Sequence, residues 1–344
     1  MLFIALCASL YLFYDKDFMK EELTQEEKEK REEVRNEREA KKEEQNRIIE
    51  DSVIIKKNSN NEYSIFTKAP DNRWVNYKFS HEVNEENTQD NWRIKDIQVG
   101  NMIDGAPSKN KLGLTDTIPV SDSNNTHEYA YKEVGADDHI GNSHGKEIVS
   151  ELVFRMDESD LNFDEEDIFS GNQLKITKKS TLFSEMDREL EIAEVIADYN
   201  FNNDNLTLNT TTNWLEDTNL EFGWVSLFPF IRGEGQSYMF SFLNEGEEYD
   251  ISEDNTIVPR SDENGGTLYN NENDLSVTIE VLNPEVSLNG YIDNGWAKSY
   301  VADSLGTNKL YIGRMSGDTT GAGRVVNAGE TWNVEQEWNI SMSE

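Results

Sequence analysis

From residue 53 onward, apolar side chains recur at every second position in run after run of this sequence. The clearest run lies near the C-terminus and comprises Trp332, Val334, Gln336, Trp338, Ile340 and Met342. Successive side chains of a β-strand point to opposite faces of the sheet, so a period of two predicts strands with one buried face. A helix, with its period of 3.6, would scatter the same residues around its circumference.

Twelve such runs are separated by stretches rich in Asn, Asp and Gly, which are typical turn residues. They lie near residues 62–67, 73–80, 92–99, 147–156, 172–183, 189–201, 205–215, 220–231, 236–243, 275–282, 309–314 and 331–342. No helical pattern separates them, and this favours antiparallel pairing over a parallel sheet with crossover helices. Residues 53–344 are therefore predicted to be all-β, a large antiparallel β-sandwich of about a dozen strands. Residues 100–127 and 254–274 are expected to form loops at its rim.

The first 52 residues differ from the rest. Residues 1–16 form an apolar N-terminal segment whose first 14 residues are shorter than the roughly 20 that span a bilayer. We expect a membrane anchor, a signal remnant or an apolar tip inside an assembly. Residues 17–52 are predicted to form a charged helical stalk, because Glu precedes Lys or Arg by four positions several times, as at Glu26 and Lys30. The apolar positions do not sustain a heptad, so a weak coiled coil that makes oligomers is the alternative.

The charge of the chain and its cysteine content exclude some classes of partner and some kinds of site. Asp and Glu number 68 against 32 Lys and Arg, for a formal net charge of -36. Such an acidic protein is repelled by nucleic acid, so no nucleic-acid partner is expected. The single cysteine, Cys7, excludes an intrachain disulfide and a Cys-based zinc site. The sequence has no G-x-S-x-G motif, so no serine nucleophile is expected. It also has no phosphate-binding glycine motif, and we predict no cofactor.

The most distinctive polar segment precedes the strand predicted at 147–156. It contains His139 and His144, with Asp137 and Asp138 before them and Glu147 after them. Histidine and carboxylate side chains can supply the base and acid that a polysaccharide lyase or hydrolase requires, and an arginine can stabilise charge. The candidate catalytic residues are His144, His139, Glu147, Arg155 and Arg232.

Two other interpretations of this segment stay open. Its histidine and aspartate side chains can simply cap turns. The same groups can also bind a divalent metal ion, but their spacing matches no zinc signature, so no metal ligand is assigned.

A second candidate segment begins at Trp214 and is rich in aromatic residues. Aromatic rings can stack on sugars, and the carboxylates of Glu216 and Asp217 can accept hydrogen bonds from sugar hydroxyls. The predicted ligand-binding residues are Asp137, Asp138, Trp214, Glu216 and Asp217. Trp224, Phe228 and Phe230 share one alternating face, which is more typical of a core than of a ligand platform.

A family likeness rests on four segments: GADDHIGNSHGKEIVSEL, KKSTLF, LTLNTTTNWLEDTNLEFGWVSLFPFIR and GETWNVEQEW. Together they resemble a β-sandwich region of phage tail-associated proteins and related bacterial surface proteins, where it often accompanies carbohydrate-active or esterase-type modules. The resemblance covers roughly residues 60–342, and its most distinctive part is D-x-I-G-x-x-H-G-x-E, from Asp138 to Glu147. The resemblance implies a protein that acts on glycans at a host cell surface.

The leading hypothesis is a glycan-recognising β-sandwich, projected on a helical stalk from a phage tail or a bacterial surface. Its partner would be a cell-surface polysaccharide, and it would belong to a virion or a membrane-anchored assembly. Two alternatives differ in class. One is a polysaccharide lyase or glycoside hydrolase that acts on host-surface or capsular polysaccharide, and the other is a purely structural tail component. The expected location is a virion tail or the cell exterior, with residues 1–14 as the anchor.

Overall fold

The structure of the chain is a computed structural model. It describes residues 25–45, 49–69, 72–84, 89–121, 127–142, 144–203, 205–231, 238–252, 259–272, 274–283, 298–304, 307–315 and 323–342. The apolar segment predicted at residues 1–16 and the candidate Arg232 lie outside the described residues.

The chain divides into two units, and the first contains helix α1 (Gln25–Gln45) and the short segment Ser108–Lys111. The described side chains of α1 are exposed, and Arg35 Nε lies 3.5 Å from Glu39 Oε1 one turn later. The predicted charged helix is thus confirmed for residues 25–45, whereas its role as a stalk and its coiled coil stay predictions. Within the described part of the chain, no helix is long and apolar enough to cross a membrane.

Every described strand lies in the second unit. In chain order the strands are β1 Val53–Ser59, β2 Glu62–Lys68, β3 Trp74–Asn84, β4 Gln89–Met102, β5 Leu114–Ser121, β6 Glu128–Glu133, β7 Glu147–Met156, β8 Ser159–Asp160, β9 Ile168–Gly171, β10 Leu174–Phe183, β11 Glu191–Phe201, β12 Asn205–Trp214, β13 Thr218–Ile231, β14 Tyr238–Phe242, β15 Tyr249–Asp250, β16 Arg260–Ser261, β17 Gly265–Asn270, β18 Leu275–Val281, β19 Ser299–Ser304, β20 Thr307–Met315, β21 Arg324–Val326 and β22 Thr331–Met342. A 3-10 turn at Ile103–Gly105 follows β4.

The described strands form two sheets. The larger sheet has 16 strands, in the order β15-β14-β17-β18-β22-β12-β11-β10-β7-β4-β3-β2-β1-β9, with β5 paired to β4 and β8 paired to β7. The smaller sheet has six, in the order β16-β19-β20-β13-β21, with β6 paired to β13. Neighbouring strands are antiparallel, apart from a parallel bridge between β4 and β7 at Asp90 and Ile148. The all-β prediction is confirmed.

The two sheets bury one shared hydrophobic core. The ring of Phe228, on β13 of the smaller sheet, lies 5.1 Å from the ring of Trp338 on β22 of the larger sheet. Tyr131 of β6 likewise packs its ring against Trp214 and Trp332, at 5.3 and 5.8 Å between centroids. Sheet packed on sheet is the architecture of a β-sandwich, as the sequence predicted.

More strands form than the dozen expected, and the additional ones lack a readable alternation. Three of them, β8, β15 and β16, are only two residues long. Strands β5 and β17 lie in segments that were predicted to be rim loops. The pair Gly265 and Gly266 that opens β17 has a turn-like composition, yet a Cβ at Gly265 would lie 2.1 Å from the carbonyl oxygen of Ile279. Glycine here allows a close approach between neighbouring strands, which a sequence pattern does not reveal.

Candidate functional site

Residues 135–142, 144 and 145, here called the histidine loop, are held in place by β6. Ile140 is fully buried, and its backbone exchanges two hydrogen bonds of 2.8 Å with Tyr131. Gly141 and Gly145 adopt φ values of 93° and 60°, a left-handed conformation that glycine takes without strain. The backbone nitrogen of His144 donates to the carbonyl oxygen of Gly141 at 3.2 Å, which closes a tight turn. The loop therefore presents its side chains from a fixed backbone.

Three side chains of this loop converge. His144 Nδ1 lies 3.4 Å and His139 Nδ1 lies 3.6 Å from the same oxygen, Asp138 Oδ1. The side chains stay within reach of solvent, at 33% exposure for His144, 28% for His139 and 48% for Asp138. The structure thus brings together two candidate catalytic residues and one candidate ligand-binding residue.

Burial sets the protonation of the two imidazoles. It lowers the pKa of His144 to about 4, and the neighbouring His139 lowers it further while Asp138 opposes the shift. Burial also lowers the pKa of His139, again against the effect of Asp138. Both rings are therefore neutral near pH 7, and a neutral imidazole nitrogen can accept a proton or bind a metal ion.

An aromatic patch, formed by Phe222, Trp224, Tyr300 and Tyr311, adjoins the histidine loop. The rings of Trp224 and His139 lie 5.1 Å apart, and Trp224 also stacks on Phe222 at 5.2 Å. Trp224 Nε1 donates to the Tyr300 hydroxyl at 2.9 Å, and Tyr300 stacks on Tyr311 at 4.6 Å with their planes 5° apart. All four patch rings are partly exposed.

A backbone irregularity puts Trp224 in this patch. The pairing of β13 with β20 shifts register on both sides of Trp224. Such bulges change which face of the sheet a side chain occupies. Phe228 and Phe230 lie four and six residues after Trp224 and would share its face in a regular strand. Both are fully buried, whereas Trp224 is partly exposed and packs against the histidine loop. The expected common face of these three residues therefore does not form.

Lys309 adds a positive charge beside the site. It lies on β20 opposite Pro229, is only 5% exposed, and places Nζ 5.3 Å from the centre of the Tyr311 ring. Burial lowers the pKa of Lys309 to about 7, and the charge of Arg93 adds to this effect. In turn, Lys309 contributes to lowering the pKa of both His139 and His144.

Glu147 belongs to a different environment. It is fully buried, and its carboxylate accepts hydrogen bonds from the Tyr129 hydroxyl at 2.8 Å, the Ser180 hydroxyl at 2.7 Å and the backbone nitrogen of Asn142 at 2.6 Å. Lys178 Nζ lies 3.4 Å from Glu147 Oε1. Glu147 therefore fastens the histidine loop to the core through Asn142, and it does so from inside the sandwich.

A register shift explains why Glu147 points inward. In a regular strand, Glu147 would lie on the same face as Arg155, eight residues later. Arg155 is partly exposed and forms a 2.7 Å ion pair with Asp160. The pairing of β7 with β10 skips Ser150, which forms a bulge. Odd-numbered residues therefore face the core before Ser150, and even-numbered residues face it afterwards. The inward face holds Glu147 before this bulge, and it holds Phe154 and Met156 after it.

The buried charges continue beyond Glu147. Lys178, which is also fully buried, lies 3.7 Å from Glu128 Oε2 and donates to Asn91 Oδ1 at 3.1 Å. The Tyr199 hydroxyl donates to Glu128 at 2.7 Å. Burial raises the pKa of Glu128, and Lys178 opposes that shift. This network joins the two sheets through hydrogen-bonded, paired charges.

Two of the remaining candidates, Arg155 and Trp214, lie away from the histidine loop. Arg155 lies eight residues along β7 from Glu147, or roughly 26 Å at the rise of an extended strand. Trp214 is 1% exposed and packs between Tyr131 and Trp332 in the core.

Three candidate acids sit on exposed turns. Asp137 is exposed in the histidine loop itself. Glu216 and Asp217 are exposed in the turn between β12 and β13, where Asp217 Oδ1 accepts a hydrogen bond of 2.8 Å from the backbone nitrogen of Ala328. Asp217 therefore holds that turn against the segment that follows β21.

A separate surface groove is lined by residues at β1 to β5 of the larger sheet and by Ile231 of the smaller sheet. Its volume is about 540 Å³, and its charged lining includes Glu62, Lys78, His81, Lys95 and Asp96. No residue of the histidine loop or the aromatic patch lines this groove.

Sequence reasoning missed Tyr300 and Tyr311 as neighbours of Trp224, and it missed Lys309 as a charge beside the two histidines. These residues lie more than 150 positions after the histidines in the chain, on β19 and β20. One signal was available: Lys309, Tyr311 and Gly313 alternate with the apolar Leu310 and Ile312. That pattern marks the outer face of a strand, but only the pairing with β13 shows which surface it joins.

Comparisons with known proteins add a partial likeness in fold. No protein-family model matches the sequence, and no curated protein matches it. Among solved structures, the chain is similar to a glycoside hydrolase family 97 enzyme from Pseudoalteromonas sp. strain K8, both as an arginine-to-lysine variant and as a glutamate-to-glutamine variant in complex with panose. Each likeness has a TM-score of 0.42 and 7% sequence identity, and covers 80% of this chain and 35% of the other. This chain therefore spans about a third of the length of those enzymes.

Proposed function

We propose that this protein binds carbohydrate at the surface formed by the aromatic patch and the histidine loop. The observation that carries the proposal is the partly exposed ring of Trp224, which is fixed by its hydrogen bond to Tyr300 and flanked by His139. A ring held in one orientation loses little conformational freedom when a sugar stacks on it.

The polar groups beside the patch suit sugar hydroxyls. Ligand sites combine apolar surface with a few fixed polar groups that set orientation and specificity. Here the neutral imidazoles of His139 and His144 can donate or accept hydrogen bonds, and Asp138 can accept them. The exposed acidic surface would disfavour strongly anionic polymers, so we propose neutral or weakly charged polysaccharides as the ligand class.

The setting is a part of the same proposal. We infer that the sandwich acts at a cell surface, as part of a phage tail or of a bacterial surface assembly, with the charged helix as its stalk. Residues 1–14 would then anchor it. Fractionation of cells that express the full chain, compared with a variant lacking residues 1–16, tests the anchor, because a membrane-anchored protein would move to the soluble fraction when the segment is removed.

Binding is tested with a panel of cell-wall and capsular polysaccharides, by retention in affinity electrophoresis. The Trp224→Ala variant should lose retention at least tenfold, because it removes the stacking surface. Trp92→Ala is the matched control, since Trp92 is also partly exposed and stacks on a histidine, His81, at 5.0 Å. Undiminished retention in the Trp224 variant, or equal loss in both, would place the carbohydrate site elsewhere.

Cleavage of the polysaccharide is a second candidate function, and one observation favours it. A general base must be unprotonated, and the lowered pKa of His144 keeps its imidazole neutral near pH 7, while the buried Lys309 can offset negative charge that develops during the reaction. The same panel should then gain reducing or unsaturated ends on incubation. These ends should be absent with His144→Ala, whereas its retention should fall less than that of Trp224→Ala, which loses the stacking surface. Retention without new ends would leave binding as the function.

A further inference from the structure

We propose that Asp138, His139 and His144 form a binding site for one divalent transition-metal ion, with Zn²⁺ as the best match. The inference concerns the ion alone and is compatible with carbohydrate binding at this surface. Because the acceptor nitrogen of His144 would be occupied by the ion, His144 could not also be the base of the cleavage alternative. It rests on distances within the histidine loop, on the chemistry of the three donors and on the way in which the loop is held.

The distances separate metal binding from simple hydrogen bonding. Asp138 Oδ1 lies 3.4 Å from His144 Nδ1 and 3.6 Å from His139 Nδ1, and both distances exceed the 2.7–3.2 Å of an N–H···O hydrogen bond. Two donor atoms on a tetrahedral zinc ion, with bonds of about 2.0–2.2 Å, stand about 3.3–3.5 Å apart. The 3.4 Å separation falls within this range, and the 3.6 Å separation lies just above it.

All three side chains can reach one ion. One ligand atom from each of them lies within 4.8 Å of the ligand atoms of the other two. Because the imidazoles are partly exposed, rotation about their side-chain torsions can bring the donors to bonding distance without opening the core. Three protein ligands leave the fourth tetrahedral position for a water molecule or a bound ligand, which is the arrangement of catalytic zinc sites.

The donor set also selects the kind of ion. Two imidazole nitrogens and one carboxylate oxygen suit Zn²⁺ and its neighbours in the first transition row, whereas Ca²⁺ and Mg²⁺ prefer sites made of oxygen atoms alone. Many other carboxylates of this acidic chain will attract cations weakly. Only this cluster, within the described residues, groups at least three such side chains at ligand spacing.

The loop is organised before an ion arrives. The backbone nitrogen of His139 donates to Asp138 Oδ1 at 2.7 Å, which orients the carboxylate. Hydrogen bonds from Tyr131 to Ile140 fix the backbone between the two histidines, and the Trp224 ring packs on His139. Supporting contacts of this kind hold metal ligands in orientation.

The test is calorimetric titration of Zn²⁺ into the full, chelator-treated protein, with excess Mg²⁺ and Ca²⁺ to occupy weak acidic sites. We expect one tight site per chain. Each of His139→Ala and His144→Ala should weaken it more than about 100-fold, because loss of a ligand exceeds the 10–100-fold effect of a supporting residue. Asp138→Asn keeps the side-chain volume and should also weaken binding. Co²⁺ should give the intense visible bands of tetrahedral coordination in the unmodified protein alone.

His81→Ala is the matched control. His81 Nε2 lies 2.5 Å from Asp90 Oδ1, a single imidazole–carboxylate pair at hydrogen-bond distance, so this variant should keep the tight site. Trp224→Ala removes only a supporting contact on His139 and should weaken the site less than either histidine variant does. A one-to-one zinc site that persists in Trp224→Ala while polysaccharide retention is lost separates failure of this inference from failure of carbohydrate binding. Melting curves of the metal-free variants verify that they fold. Absence of a tight site in the unmodified protein, or its survival in the His139→Ala/His144→Ala double variant, would overturn the inference.

Discussion

The indole ring of Trp224 lies against the imidazole ring of His139, with centroids 5.1 Å apart and planes tilted by 37°. This contact joins a strand of the smaller sheet to the loop that precedes β7 of the larger sheet. It exists because a bulge exposes Trp224 and because β6 fixes the loop beside it. A change in the position of either element would therefore alter the binding surface as a whole.

The Trp338→Ala substitution should lower the free energy of unfolding by about 3–5 kcal/mol, as truncations of large core aromatics do. Trp338 is fully buried, packs on Phe228 and donates its Nε1 hydrogen to Gln336 at 2.9 Å. Urea denaturation measures the loss. Val83→Ala, at a side chain that is 62% exposed, is the control and should cost less than about 0.5 kcal/mol. A loss below about 1 kcal/mol for Trp338→Ala would contradict its placement in the core.

The Lys178→Met substitution should lower the free energy of unfolding by about 3–5 kcal/mol, because it leaves the buried carboxylates of Glu128 and Glu147 without their cation. Its neighbour Lys179 provides a matched control. Lys179 forms a 2.7 Å pair with Glu151 in which both side chains are nearly half exposed, so Lys179→Met should cost no more than about 1 kcal/mol.

The loss in Lys178→Met should also depend on pH. The pKa of Glu128 is already raised by burial and is held down by Lys178, so removing the lysine raises it further. The folded state then binds more protons than the unfolded state above the ordinary glutamate pKa of 4.5, and the stability of the variant falls as pH rises from there. Urea denaturation between pH 4.5 and pH 8 measures this slope. A loss that is constant across this range would show that Glu128 keeps its charge without the lysine.

Lys309 should make the protein more stable as pH rises above 7. In the folded chain its pKa is about 7, against 10.5 for an ordinary lysine. Between these values the unfolded state holds more protons, so the free energy of unfolding increases with pH. Lys309→Met should be more stable than the parent protein at pH 7 and should lack this part of the slope. Equal slopes in the two proteins, measured by urea denaturation from pH 7 to 10, would contradict the lowered pKa.

The Gly145→Ala substitution should destabilise the protein and weaken binding at the histidine loop. Its φ is 60°, and a Cβ there would lie 2.8 Å from the carbonyl oxygen of His139, so strain and a clash add to a cost of about 2–4 kcal/mol. Gly105→Ala is the control, because its φ is 79° but a Cβ would meet nothing within 4 Å, which limits the cost to about 1–2 kcal/mol. Equal melting temperatures for the two variants would show that the histidine loop shifts to accommodate the added methyl group at no more cost than Gly105.

The alternation of apolar residues was enough to identify most long strands and much of the core. Trp332 and Trp338 are buried where the pattern placed them, and the run in β18 is buried as well. The glycines of the histidine loop indicate an irregular backbone, and all three of them, Gly135, Gly141 and Gly145, take positive φ. These features are local, because side-chain direction along a regular strand and the backbone freedom of glycine depend on only a few neighbouring residues.

The tertiary structure alone decided the composition of the site. In a regular strand, Glu147 would share a face with Arg155, and Trp224 would share a face with Phe228, because an even number of residues separates each pair. Bulges in β7 and β13 put the members of each pair on opposite faces. Lys309 reaches the site through β20, far along the chain from the two histidines. A bulge position and the choice of strand partner depend on hydrogen bonds between segments distant in sequence, and on which side chains fill the space between two sheets. The short-range periodicity of the sequence predicts neither of these features. The sequence pattern therefore determined which residues form strands, and the packing of the sheets determined which of those residues come into contact.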